Sequence, residues 1–426
     1  MKKQVLFVLL LSSFILGACN NTAPSSESSA PAESSQAAQS SEQSQQSQQS
    51  QQSSQAQKSS SSFSYTIPSY PASSGTALSL TAPENDIHTD LQHSYLNDPD
   101  WRNIKAYIPA VNAEDRKSHP DLSQPKALEL KFEDLGDADT YYVQVSKNNT
   151  FANAPVLQTQ AKKYDFYNAE IGVKYYYRAA TSEAALANAV AKEYQVADAA
   201  PRNVRVGGVI NFRDCGGWKT TLVQNGVVKQ GLYYRCAQFN SITAAGKAAI
   251  KELGIKVDID MRDSYSVPNT SPASTTDWPV EILKASVASS TEDGRWEGYH
   301  SRDTEIAATY KKIFEAIAIA DQKPIALHCT HGADRTGIVS FFLLALCGVS
   351  KEDLGRDYCL TRFAGERKVL PADEFDKWVG KTDGCQGLTF ADKTYNHLKD
   401  DFNISVDTLE TIREKFVPGY VRTAAA

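Results

Sequence analysis

The spacing of apolar positions along this chain changes three times. Residues 5–16 form an apolar run, interrupted only by Ser12 and Ser13, behind Lys2 and Lys3, ending at Leu16-Gly17-Ala18-Cys19. At about twelve residues the run is too short for a spanning helix, which needs roughly twenty, and it predicts a cleaved export signal over residues 1–19. Residues 20–62 are almost entirely Ser, Gln, Ala and Glu, as in SEQSQQSQQSQQSSQ. They hold too little apolar surface to offset chain entropy and predict an unfolded stalk. Alternation with a period of two follows in ALELKFEDL, DTYYVQVSKN and VKYYYRAATS, separated by Gly, Asp and Asn turns, and predicts an all-β sandwich over residues 76–198. Within it, residues 78–125 are expected to supply a first strand and a long insertion.

From residue 199 to about 420 the pattern changes again, to strands alternating with helices, which predicts an α/β domain with a central sheet flanked by helices. GLYYRCAQ, IKVDIDMR and PIALHC read as buried strands, and VRVGGVINFRD leads into another. SITAAGKAAIKELG reads as a helix capped by Ser241 or Thr243 and closed by Gly254; DTEIAATYKKIFEAIAIA and TGIVSFFLLALCGVS are further helices. Two folded units plus unfolded segments also suit a length of 426 residues.

Charge and cysteine usage narrow the function. A formal net charge of −6 argues against nucleic acid as a partner, so any anion site must be local. The seven cysteines are Cys19, Cys215, Cys236, Cys329, Cys347, Cys359 and Cys385, without a metal-like CxxC pair. Leu16-Gly17-Ala18-Cys19 resembles the bacterial lipobox, which implies a lipidated Cys19 and a protein tethered at the extracellular face of the membrane. The lipid is then the only membrane contact. With Cys329 required free, five cysteines remain and no disulfide framework is expected, a Cys359–Cys385 bridge being left open.

The chemistry concentrates in PIALHCTHGADRTG, residues 324–337. A strand here runs through a short loop into a helix, and the unpaired amides of such a loop, with the helix dipole, stabilise an oxyanion. A cysteine in the same position is stabilised as thiolate, its pKa falling from about 8.5 to about 5. Arg335 offers a planar fork for two phosphoryl oxygens, which lysine cannot reproduce. Thr330, His331, Gly332, Ala333, Thr336 and Gly337 complete the candidate cradle, with Thr336 placed to donate its hydroxyl to the thiolate. His328 is expected to orient the loop. A metal reading of His328, Cys329 and His331 lacks a fourth ligand, so no metal and no cofactor is expected.

HCTHGADRTG resembles the HC-x5-R-[ST] signature of cysteine-dependent phosphatases. NFRDCGG, GLYYRCAQFNSIT and IDMRD resemble, in order, further elements of the bacterial tyrosine-phosphatase-like family over about residues 203–420. The resemblance implies attack on phosphorus by Cys329, charge stabilisation by Arg335 and the loop amides, and protonation of the leaving oxygen by Asp334, with Asp293 in STEDGRW as the second candidate. Arg213 and Asp214 are expected to form a structural ion pair holding the loop. Relatives commonly carry lysine where this chain has Ala333, which lowers the weight of a lipid phosphate substrate. The leading function is therefore a protein tyrosine phosphatase, dual specificity included, acting on a phosphoprotein or a small phosphate ester. The alternatives are an inositol polyphosphate or phosphoinositide phosphatase, and a surface binding or adhesion protein using an anion-recognition domain. The strands between residues 128 and 181 resemble a fibronectin type III module and are assigned no chemistry.

Overall fold

The computed structural model describes residues 75–108, 121–262, 281–285, 304–365 and 372–422. The export signal, the stalk, Cys19 and Asp293 lie outside the described residues. Among those described, no helix is long and apolar enough to cross a membrane.

Two antiparallel sheets form the N-terminal β region. Strand β1 (Leu128–Lys131) pairs with β4 (Lys163–Phe166), and β2 (Tyr141–Ser146), β3 (Leu157–Thr159), β5 (Lys174–Ala180) and β6 (Lys192–Gln195) assemble in the order β3-β2-β5-β6. Alternation along β1 and β5 sends Leu128, Leu130, Tyr175 and Tyr177 inward. Leu130, Phe132, Tyr141, Val143 and Tyr177 share one core, and Phe166 meets Tyr175 edge-on at 5.1 Å.

Residues 75–108 and 121–125 supply no strand, against expectation. They form helix α1 (Asp90–Leu96), capped reciprocally by Thr89 and Gln92, and a 3-10 segment (Trp101–Ala106). Their apolar residues Tyr95, Trp101, Ile104 and Tyr107 are buried in the core of the α/β unit rather than in the sandwich. Tyr95 packs on Phe363 at 5.7 Å and Trp101 on Phe375 at 5.0 Å, both edge-on. Gly355 makes this possible, since a Cβ there would lie 2.5 Å from the Trp101 ring. The apolar spacing of this segment fits a helical turn against a partner far along the chain, and that partner outcompetes strand pairing.

The α/β unit is built on a six-stranded sheet: β7 (Arg202–Asn203), β8 (Arg213–Asp214), β9 (Tyr233–Cys236), β10 (Val257–Asp260), β11 (Glu281–Lys284) and β12 (Ile325–His328), in the order β11-β10-β12-β9-β8-β7. Strands β9 to β12 run parallel, and β7 and β8 join antiparallel at the edge. Every residue of β9, β10 and β12 is buried, as parallel strands covered on both faces require. One face carries α2 (Ala244–Glu252), capped by Thr243 and followed by Gly254 in the left-handed region, over Tyr234, Cys236 and Ala326. The opposite face buries Tyr233, Ile325 and Leu327 beneath α3 (Thr304–Ile317), α4 (Arg335–Leu346), α5 (Lys351–Leu360), α6 (Ala372–Asp383), α7 (Phe390–Asp401) and α8 (Val406–Phe416). All of α4 is buried, which fixes the start of that helix rigidly at the end of β12.

Candidate active site

β12 ends at His328 and α4 begins at Arg335, so residues 329–334 form a short loop between a central parallel strand and a helix N-terminus. The carbonyls of this loop are held from outside. Thr330 O accepts from the amide of Gln238 (3.1 Å), His331 O from Asn211 Nδ2 (3.0 Å), and Gly332 O from Asn211 Nδ2 (3.2 Å) and Arg235 Nη2 (2.8 Å). In a trans peptide the N–H points opposite to the C=O, so the amides of residues 331, 332 and 333 are turned toward the concave side of the loop. The curvature requires Gly332, whose φ is +69° and where a Cβ would sit 2.3 Å from Cys236 O.

Cys329 lies at the base of this cradle and is 3% exposed. Burial pushes its thiol up, but the Arg335 guanidinium, with the hydroxyl and amide of Thr336, outweighs burial and the nearby Asp334 carboxylate, so its pKa falls below the ordinary thiol value. The Thr336 hydroxyl that contributes to this is fully buried beside the sulfur. Arg335 is anchored by Nη1 to Met261 O (3.1 Å) and by Nη2 to Thr330 Oγ1 (3.5 Å). Asp334, half-buried, is the residue before α4, and its carboxylate makes no capping bond to the helix. His331 is exposed at the rim, Thr330 is half-buried, and Ala333 and Gly337 are buried.

His328 is fully buried, with Nδ1 3.0 Å from Cys329 O and Nε2 3.0 Å from Asp258 Oδ1. The second pair is close without hydrogen-bond alignment, so it acts through charge. Burial alone would disfavour the imidazolium; Asp258 and Asp260 reverse that and raise the His328 pKa.

The expected Arg213–Asp214 pair does not form. Adjacent strand residues point to opposite faces, and these two serve different partners. Arg213 reaches Asp357 on α5 (Nε to Oδ1, 2.8 Å) and Asn211 Oδ1 (2.5 Å). Asp214 pairs with Arg202 (3.1 Å), which also donates to Asn168 O and Ala169 O in the β region. Arg213 thus supports the loop, whereas Asp214 ties the two folded regions together.

Asn211, Arg235 and Asp357 are the residues that motif reading missed. Asp357 Oδ2 also accepts from Arg235 Nη1 (2.6 Å), so one carboxylate holds both guanidiniums that brace the loop. Burial pushes Asp357 up, yet Arg213 and Arg235 together keep it below the usual carboxylate range. Arg235 in the otherwise apolar, buried strand β9 was the available signal, because a buried guanidinium demands a buried acceptor. Asn211 itself adopts φ +58°. Its carboxamide orientation follows from chemistry, since arginine can only donate and carbonyls only accept.

The arrangement places a depressed-pKa thiol, inward amides, a helix N-terminus and a guanidinium around one point, and this can hold a tetrahedral oxyanion against a nucleophile. The profile of the tyrosine phosphatase family matches residues 204–425, just over half of the chain. A curated tyrosine-protein phosphatase from Nostoc commune is 28% identical over 159 residues, covering 33% of this chain and 52% of the relative. The chain therefore spans about half the length of that relative. Among solved structures, TpbA of P. aeruginosa aligns at 17% identity over 42% of this chain and 94% of its own, with a TM-score of 0.27. A variant of TpbA in complex with pTyr aligns at 16% identity over 38% and 94%, with a TM-score of 0.23.

Proposed function

The chain belongs to the tyrosine phosphatase family, and from that premise we propose that it hydrolyses phosphate monoesters through a phosphocysteine intermediate, with phosphotyrosine in proteins or peptides as its principal substrate. The observation that carries this reading is the loop at the end of β12, where the carbonyls of three consecutive residues are bonded outward and the Cys329 thiol is depressed beside Arg335.

In the first step the Cys329 thiolate attacks phosphorus, the sulfur–phosphorus bond forms, and the ester oxygen leaves with a proton from Asp334. Arg335 and the amides of residues 331–333 bear the charge of the equatorial oxygens. In the second step water attacks phosphorus and yields its proton to Asp334, the sulfur–phosphorus bond breaks, and orthophosphate departs as the thiolate is restored. Thr336 is placed to stabilise that leaving thiolate. Ala333 is 2% exposed and adds no cation to the mouth of the loop, which favours an aryl phosphate over a polyphosphorylated inositol or a phosphoinositide.

Release of phosphate from a generic aryl phosphate, in the presence of a chelator, tests the proposal. Wild type is expected to turn over, and Cys329→Ser to lose at least about 10⁴-fold in kcat. Wild-type inactivity would return the protein to the class of binding or adhesion proteins. Asp334→Asn is expected to flatten the basic limb of the kcat profile for poor leaving groups, and an unchanged limb moves the acid role to Asp293. We further propose that the protein acts at the extracellular face of the cell membrane, tethered through lipid on Cys19, with residues 20–62 as stalk and the β region as spacer. Cys19→Ala is then expected to move it from the membrane fraction to the medium.

A further inference from the structure

We propose that Ser123 is a positioning residue for the phosphate loop, and that residues 121–125, which precede the span matched by the family profile, complete the catalytic unit of this chain. The inference rests on the phosphatase reading above.

Asn211 is the hub that braces the loop, and it adopts the left-handed region, which asparagine tolerates better than most other non-glycine residues. Its carboxamide is bonded within the α/β unit, to Arg213 on one side and to His331 O and Gly332 O on the other. Its backbone N–H is served from outside, by Ser123 Oγ at 3.0 Å. The hydroxyl has one proton to give, and it goes to Asp121 Oδ1 at 2.5 Å; the same carboxylate oxygen accepts the Ser123 amide at 3.0 Å. The serine oxygen therefore presents its lone pair to Asn211 and cannot rotate away without losing the bond to Asp121.

The segment carrying Ser123 is itself pinned. Leu122 donates its amide to Phe363 O (2.7 Å), and Gln92 of α1 donates to Leu122 O (2.6 Å) and Gln124 O (3.1 Å). Gln124 bonds Asp121 Oδ2 (2.6 Å) and Val209 O (3.4 Å), two residues before Asn211. A connected path of hydrogen bonds thus runs from Asp121 through Ser123 and Asn211 to the carbonyls whose outward pull turns the loop amides inward. Loosening it is expected to disturb anion binding and thiolate stabilisation, because both depend on those amides.

The test uses the full chain as wild type, Ser123→Ala, Ser123→Thr and Arg102→Ala. The last removes the Arg102–Asp376 ion pair, which anchors the 3-10 segment Trp101–Ala106 to α6, away from Asn211, and so reports general loosening. Four quantities are measured: kcat/KM on an aryl phosphate, inhibition by orthophosphate, the pH dependence of Cys329 alkylation by iodoacetate, and thermal midpoint. Ser123→Ala is expected to lower kcat/KM and orthophosphate affinity by about tenfold each and to move the alkylation midpoint to higher pH. Ser123→Thr restores both, and Arg102→Ala lowers only the thermal midpoint. Values within twofold of wild type for Ser123→Ala, or equal losses in Arg102→Ala, would overturn the proposal. Should Ser123→Ala not fold, Asp121→Asn, which loosens the same hydroxyl, must produce the same alkylation shift in smaller measure. Inactive wild type would sink the phosphatase reading, while orthophosphate protection of Cys329 against alkylation still decides the role of Ser123.

Discussion

The two folded regions handle charge in opposite ways. In the β region the ion pairs lie in solvent: Lys174 with Glu193 and Lys192 with Asp134 are roughly half exposed at both ends. In the α/β unit Arg213 and Arg235 share Asp357 with every side chain under 5% exposed. Water screens the first kind, so removing a partner changes little. The second kind has given up its hydration, so its partners are obligatory and its geometry is fixed. Burying three charges is costly, and here the order it imposes holds the loop in shape. The β region carries no comparable arrangement among the described residues.

The largest effect expected from this contrast is at Asp357. Asp357→Ala leaves two buried guanidiniums without their carboxylate and is expected to destabilise the chain by about 3–5 kcal/mol in urea unfolding. Residual folded protein should also show weakened orthophosphate inhibition, since Arg235 and Arg213 would no longer hold Gly332 and Asn211. A loss below about 1 kcal/mol would mean that the interior network is not what shapes the loop.

An intermediate effect is expected at Asp86, which is buried just before α1 and bonded to two histidines of its own segment. Its carboxylate takes His88 Nδ1 and His93 Nδ1, each at 2.8 Å, and His88 Nε2 continues to Pro201 O at 2.8 Å. Burial alone would raise the Asp86 pKa; the bonds and charge from His88 and the bond from His93 bring it down to about 2. A carboxyl depressed in the folded state contributes stability above its ordinary value near 3.8, and that contribution is lost as pH falls through about 2. The shift corresponds to about 2 kcal/mol. Asp86→Asn is therefore expected to lower the thermal midpoint at neutral pH, with the gap to wild type closing between pH 4 and pH 2. A gap independent of pH would assign the loss to packing alone.

How much of this is legible in the sequence follows from how local each signal is. Buried parallel strands announce themselves as apolar runs, the helix after Thr243 by its cap and Gly254, and the loop of residues 329–334 by a strand, a glycine and a helix in direct succession. None of these needs a distant partner to be recognised. The bracing of the loop does need one. Asn211, Arg235 and Asp357 come from three elements spread over some 150 residues, and only the oddity of Arg235 in an apolar strand hints at them. The sequence neighbours Arg213 and Asp214 invite pairing, but the period of a strand sends them to opposite faces. The departure of residues 78–108 and 121–125 from the expected strand has the same cause. Their aromatic residues meet Gly355, Phe363 and Phe375, contacts that no local spacing encodes.

The smallest effect is also the one that tests the contrast most directly. Lys174→Ala in β5 removes one end of a close pair, at 2.7 Å from Glu193, whose geometry on paper matches that of the buried pairs. If distance alone set the value of an ion pair, this substitution would rank with Asp357→Ala. Exposure sets it instead, because both side chains keep their water and salt screens what attraction is left. The thermal midpoint and kcat/KM of Lys174→Ala are therefore expected to stay within error of wild type at physiological salt. A clear drop in stability would show that the pairing of β5 with the edge strand β6 depends on its surface charges, while a drop in activity with stability intact would give the β region a part in catalysis that its packing does not suggest.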